Sequence, residues 1–154
     1  MTVEEKLAEL GLSLPVPPGP AANYSPFVEH AGLIYISGQL PMVDGEMKFA
    51  GHVGSDLDVE QGYEAARLCA LNGLSQMRVA LDGFENLERV IRVDAYVNSA
   101  PGFTGQPGVV NGCSDLLKEV LGDRAGHARL ALGSNELPLN AATEIAFIVA
   151  RRNS

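Results

Sequence analysis

The sequence predicts an α+β domain, a mainly antiparallel sheet carrying two helices on one face. Three observations carry that expectation. Residues 58–82 repeat small and apolar side chains at helical spacing, residues 89–98 alternate with a period of two, and two apolar runs near the C-terminus flank a turn-rich break. At 154 residues, 46% hydrophobic and 19% charged, the chain is sized for one globular domain.

Residues 2–11 read as a short amphipathic helix, with Val3, Leu7 and Leu10 on one face and Gly11 as its stop. Leu14-Pro15-Val16-Pro17-Pro18-Gly19-Pro20 fits neither helix nor central strand, because proline has no N–H to give, so it is expected to run extended over a surface. Residues 1–20 therefore form an N-terminal helix and Pro-rich extension, ahead of a single domain over 21–152. Strand signals begin at Tyr24 to Glu29, turn at His30-Ala31-Gly32, and continue from Leu33 to Ser37, where Gly38 ends them. Asp44-Gly45 marks a further tight turn.

The helix of 58–82 is capped by Asp56 or Asp58. Val59, Tyr63, Ala66, Ala70, Gly73, Met77 and Ala80 line its apolar face, with Arg67, Gln76 and Arg78 toward solvent. From Arg89 to Asn98, Ile91, Val93, Ala95 and Val97 point one way and Arg92, Asp94, Tyr96 and Asn98 the other. A Gly/Pro-rich loop fills 99–108, and a second helix runs from about Val109 to Val120. Two strands close the chain, giving the order β-β-α-β-α-β-β. Such a sheet has one face without helices. If apolar, that face is buried economically against further copies, so a homo-oligomer is expected.

Nineteen acidic against eleven basic residues give a net charge of −8. That sign opposes nucleic-acid binding, which rests on clustered Lys and Arg. Cys69 and Cys113 are far apart and form no CxxC, and the N-terminus is polar and acidic, so a soluble, cytoplasmic protein is expected. Metal binding finds no ligand spacing among His30, His52 and His127, which read as loop or strand-end residues. No GxSxG and no phosphate-cradling glycine motif occurs either.

That leaves Arg129 and Glu144, nearly alone among the apolar residues of 128–132 and 141–150. If these runs form a hairpin centred near Glu136 and Leu137, the two residues fall opposite each other, about 5 Å apart. A charge in a half-buried sheet needs a partner or a role. A structural ion pair is the plain alternative.

Tyr24-Ser25-Pro26-Phe27, then Tyr35-Ile36-Ser37-Gly38-Gln39-Leu40-Pro41, Asn111 opening the second helix, Ala128-Arg129, Leu137-Pro138 and Glu144-Ile145 follow one another in order. Together they resemble the YjgF-type, or reactive intermediate deaminase (Rid), family, also known as L-PSP endoribonuclease-like. The resemblance spans roughly 21–152. It implies a chorismate-mutase-like α+β fold, a barrel-shaped homotrimer with clefts between subunits, and hydrolysis of small 2-imino or enamine acids to 2-keto acids and ammonia without metal or organic cofactor. It also implies that Arg129 forks onto the carboxylate of the ligand, a task suited to a guanidinium's parallel donors. Glu144 would hold and polarise the attacking water or shuttle protons. Gly38 would let backbone approach the ligand, and Asn111 would hydrogen-bond from the neighbouring subunit. Phe27, Ser37, Leu130 and Ala131 complete the implied substrate-binding set.

The chain departs from the family pattern at three places. Phe27 stands where deaminating members commonly carry tyrosine, Ala131 where cysteine is frequent, and Ser114 where a further tyrosine is. The N-terminal extension and the 99–108 loop resemble a longer subgroup. Two alternatives stay open: a non-catalytic trimer that binds small carboxylates, favoured by the missing phenol, and an endoribonuclease, disfavoured by the acidic chain.

Overall fold

Helix α1 (Val3–Glu9) is started by a reciprocal cap, in which Thr2 Oγ1 accepts from the Glu5 N–H and the Glu5 carboxylate accepts from the Thr2 N–H. The computed structural model describes residues 1–17 and 23–154. Val3 and Leu7 join the same core as the rest of the chain, whereas Leu10, expected beside them, lies past the helix end and is exposed. Residues 12–17 have no regular structure, and Ser75 Oγ donates to the Pro15 carbonyl there. Pro18, Gly19 and Pro20 of the expected extended run lie outside the described residues.

Strands β1 (Phe27–His30) and β2 (Leu33–Gln39) form a hairpin whose turn puts Ala31 and Gly32 at φ of 53° and 79°. The strand starts at Phe27 and not at Tyr24, because Pro26 has no N–H to offer the ladder. A small second sheet, β3 (Met42–Val43) with β4 (Glu46–Met47), closes around Asp44-Gly45 in the same left-handed turn geometry.

Helix α2 (Val59–Leu81) is capped by Asp58, again reciprocally with Gln61, and stops at Asp82 in the left-handed region. Strand β5 (Leu87–Asn98) leads to helix α3 (Gln106–Leu121), which begins three residues earlier than expected because Pro107 is tolerated in a helix's first turn. Strands β6 (Ala128–Ser134) and β7 (Thr143–Arg151) follow. The five-stranded sheet has the order β1-β2-β7-β5-β6 and is mixed. Neighbours are antiparallel except β5 and β6, which run parallel and are joined through α3. The α+β class and the element order stand. Helices α2 and α3 cover one face, onto which Val93, Ala95, Val97, Ile145, Phe147 and Val149 point.

Three expectations are corrected. Strands β6 and β7 are not a hairpin, since β5 lies between them, so Arg129 sits opposite Val93 and Glu144 opposite Tyr96. The cause is the connection. Pro138, with Leu139 and Asn140 both at positive φ, carries the chain past the end of β5, where Asn98 Nδ2 holds Asn140 Oδ1 at 3.2 Å. Second, Ile91 points outward and Val90 inward, because β5 bulges between Val90 and Arg92 and inserts one residue into the alternation. Third, Gln76 is buried and not solvent-facing, since the Pro15–Pro17 segment and β2 cover that side of α2.

The loop before α2 is pinned to the β6–β7 connection by His52. Its Nε2 donates to the Asn135 carbonyl at 2.8 Å, with the Glu136 and Asp56 carboxylates at 3.6 and 3.5 Å. The bond to Asn135 is the main cause that raises the imidazole above its ordinary range, burial opposes it, and the two carboxylates add to it. A pKa raised on folding stabilises the fold fully below the unfolded value and loses that contribution as pH climbs through the folded one. The difference in melting temperature between the wild type and His52→Gln should therefore be widest near pH 5.5 and shrink by pH 8.5. An unchanging gap would remove the charge from the argument.

Candidate functional site

Arg129 lies on β6, an edge strand, in the row of residues that faces the helices. It is half-buried. Nη1 donates to Ser114 Oγ at 3.1 Å and Nη2 to the Pro107 carbonyl at 3.3 Å, both on α3. Among the described residues no carboxylate lies within ion-pairing distance of it, although Arg67, Arg92, Arg151 and Arg152 each have an acidic partner. The remaining donors of its fork are free to meet an anion. Asn111 is exposed on α3, one turn from both Pro107 and Ser114.

Glu144 occupies the other face of the sheet. Along β7, Thr143, Ile145, Phe147 and Val149 are buried beneath the helices, while Glu144 alternates onto the open side next to Tyr96 of β5. It is half-buried, has no ion-pair partner among the described residues, and burial alone pushes its carboxyl above the usual range. Gly38 explains its position. Strand β2 carries one extra residue between Ile36 and Gln39, and at this bulge a Cβ on Gly38 would stand 2.9 Å from Glu144 Oε1. The bulge is fixed by the Ser37 hydroxyl, which donates to the Ser25 carbonyl at 2.8 Å, and by the Ser37 N–H to the Pro26 carbonyl at 3.0 Å.

The expected site residues thus fall on two different faces of the sheet. Arg129, Asn111 and Ala131 belong to the helix-facing side of the β6 edge, whereas Glu144, Gly38, Ser37 and Leu130 belong to the open face. Phe27 is half-buried and packs against the core. Ser37 and Gly38 also border a cavity of about 480 Å³ whose other walls include Tyr24, Pro26, Asn72 and Gln76. Asn72 braces it by donating from Nδ2 to the Leu40 and Met42 carbonyls, both at 2.9 Å.

One group escaped the sequence reading. The His127 ring lies with Nε2 2.9 Å from Ser114 Oγ and Nδ1 2.6 Å from the Ala125 carbonyl. No spacing rule would have found it. The pair meets only because the 3₁₀ turn Gly122–Ala125 sends the chain back along α3.

Comparison with known proteins fits this architecture. The family model described as "YjgF/chorismate_mutase-like, putative endoribonuclease" matches residues 4–151. Protein TCP17 of Trypanosoma cruzi is 41% identical over 152 residues, covering 98% of this chain and 95% of that protein. The crystal structure of Atu1372 from Agrobacterium tumefaciens, a protein of unknown function, is 45% identical and superposes with a TM-score of 0.92 over 97% of this chain and 92% of its own. TdcF of E. coli, solved with bound serine, shares the fold at 19% identity and a TM-score of 0.61, over 89% and 94% of the two chains.

Proposed function

The chain belongs to the YjgF/chorismate mutase-like family, and on that ground we propose that it hydrolyses small 2-imino or enamine acids to 2-keto acids and ammonia. The work is done in clefts between copies of the chain, assembled as a homotrimer. Arg129 binds the substrate carboxylate, and Glu144 of an adjoining copy positions the water.

The observation that carries this reading is a pair of uncompensated charges. A half-buried guanidinium with no acid, and a half-buried carboxylate with no base, among the described residues are each costly to keep desolvated alone. They lie on opposite faces of one sheet, so a single chain cannot use them together, whereas two chains meeting edge to face can. The open face also supports assembly, because it exposes Val28, Tyr35, Tyr96, Leu130 and Leu132. Family members take ligands of this size, as TdcF with its serine does.

A second reading, a trimer that binds small carboxylates without turnover, is favoured by Phe27, whose ring packs on the core and offers no hydroxyl. Ammonia release from an imino acid generated in situ, measured beside calorimetric titration with pyruvate, separates the two. Release together with saturable binding supports hydrolysis. Binding without release transfers the conclusion to the second reading, and no binding removes both.

A further inference from the structure

We propose that Ser114, backed by His127, carries a proton from the water that Glu144 positions to the substrate nitrogen held beside Arg129; the proposal rests on the hydrolytic reading above. The hydrogen-bond directions leave one arrangement for the neutral imidazole. The Ala125 carbonyl can only accept, so at 2.6 Å His127 Nδ1 must carry the proton. Nε2 is then a lone pair, and the Ser114 hydroxyl donates into it across 2.9 Å. The lone pairs of Ser114 Oγ are left for donors, one of which is Arg129 Nη1 at 3.1 Å. This is a hydroxyl and a base in hydrogen-bond reach, the base oriented by a third group, all beside the anion fork.

A 2-imino acid seated on Arg129 carries its nitrogen one carbon from the carboxylate, within the same small space as Ser114 Oγ. Glu144 serves the reaction from another chain, so the proton carrier nearest the nitrogen is the Ser114–His127 pair. With the substrate as its iminium, the water oxygen bonds to C2 and the C=N π pair moves to nitrogen. A water proton passes to Ser114 Oγ as the hydroxyl's own proton passes to His127 Nε2, leaving a neutral carbinolamine and an imidazolium. The imidazolium returns that proton through Ser114 to the amino nitrogen. The C–N bond breaks with its electron pair on departing ammonia, and the carbinol O–H pair becomes the C=O π bond as its proton leaves to solvent. Protons and charge balance, and water is the sole co-reactant.

The test compares turnover with pyruvate binding in the full-length protein carrying Ser114→Ala, His127→Gln or Ser114→Thr. If Ser114 moves protons, the first two lower kcat by about 100-fold or more, the typical share of positioned acid–base groups. Their Kd for pyruvate stays within about threefold of wild type, and Ser114→Thr, which keeps the hydroxyl, restores most of the rate. If the pair merely props Arg129, Kd and kcat deteriorate together in both variants, which overturns the proposal, as does full turnover in His127→Gln. A wild type that binds pyruvate but releases no ammonia brings down the hydrolytic reading instead, and the relay with it.

Discussion

Arg129→Ala is expected to abolish capture of pyruvate and turnover while leaving the fold largely intact. A desolvated, charge-assisted fork on a carboxylate contributes about 2–5 kcal/mol when one partner is truncated, on the order of thirty-fold to several-thousand-fold in affinity. Arg129→Lys should recover little, because an ammonium keeps the charge but loses the two parallel donors. The expected stability change is small for a stated reason. No carboxylate leans on this guanidinium among the described residues, so the mutation strands no buried acid. Only the bonds to Ser114 and Pro107 disappear, the second long and exposed, at a cost of about 1.5–3 kcal/mol that comes mostly from the first. Chemical denaturation beside the binding titration checks both halves. A loss near the ~3–5 kcal/mol of a broken buried pair would return Arg129 to a structural role.

Gly112→Ala should be the most destabilising single methyl in the molecule. Helices α2 and α3 touch backbone to backbone there. A Cβ on Gly112 would stand 2.0 Å from the Tyr63 carbonyl oxygen and 3.2 Å from the Arg67 nitrogen. Neither atom can swing aside as a side chain could. The helices must part, which also stretches Tyr63–Asp115 at 2.7 Å and Arg67–Glu119 at 3.2 Å. The cost is expected at or above the upper end of overpacking, about 3 kcal/mol, or roughly 6–12 °C in melting temperature for a domain of this size. The sign is diagnostic. At an open helical position alanine would stabilise by about 1 kcal/mol over glycine, so a raised melting temperature would contradict the close approach.

Much of this was legible in the sequence, for local reasons. The cap at Asp58, the turns at Ala31-Gly32 and Asp44-Gly45 and the 3.6-residue period of α2 are written in neighbouring residues, which place each of them to within a few positions. What failed was non-local. A bulge shifts the alternation of β5 without marking the sequence, so strict alternation puts Ile91 on the wrong side. The apolar runs around Arg129 and Glu144 show that both are strands, but pairing partners are chosen by the whole sheet. A crossover through α3 puts β5 between them, which neither run can announce. The same return of the chain brings His127 to Ser114 across thirteen residues.

The placement of Arg129 and Glu144 on opposite sides of one sheet has a genetic consequence. A copy lacking either residue still owns the other half intact, so defects in the two should be mutually curable. Unfolding and co-refolding an equal mixture of Arg129→Ala and Glu144→Gln chains should regenerate activity at on the order of a quarter of the clefts, although each parent alone is dead. A cleft built wholly within one chain would leave the mixture as inert as its parents. On the proposed reading the active unit is a contract between neighbours, and such a mixture is the place where one damaged chain is expected to rescue a differently damaged sibling.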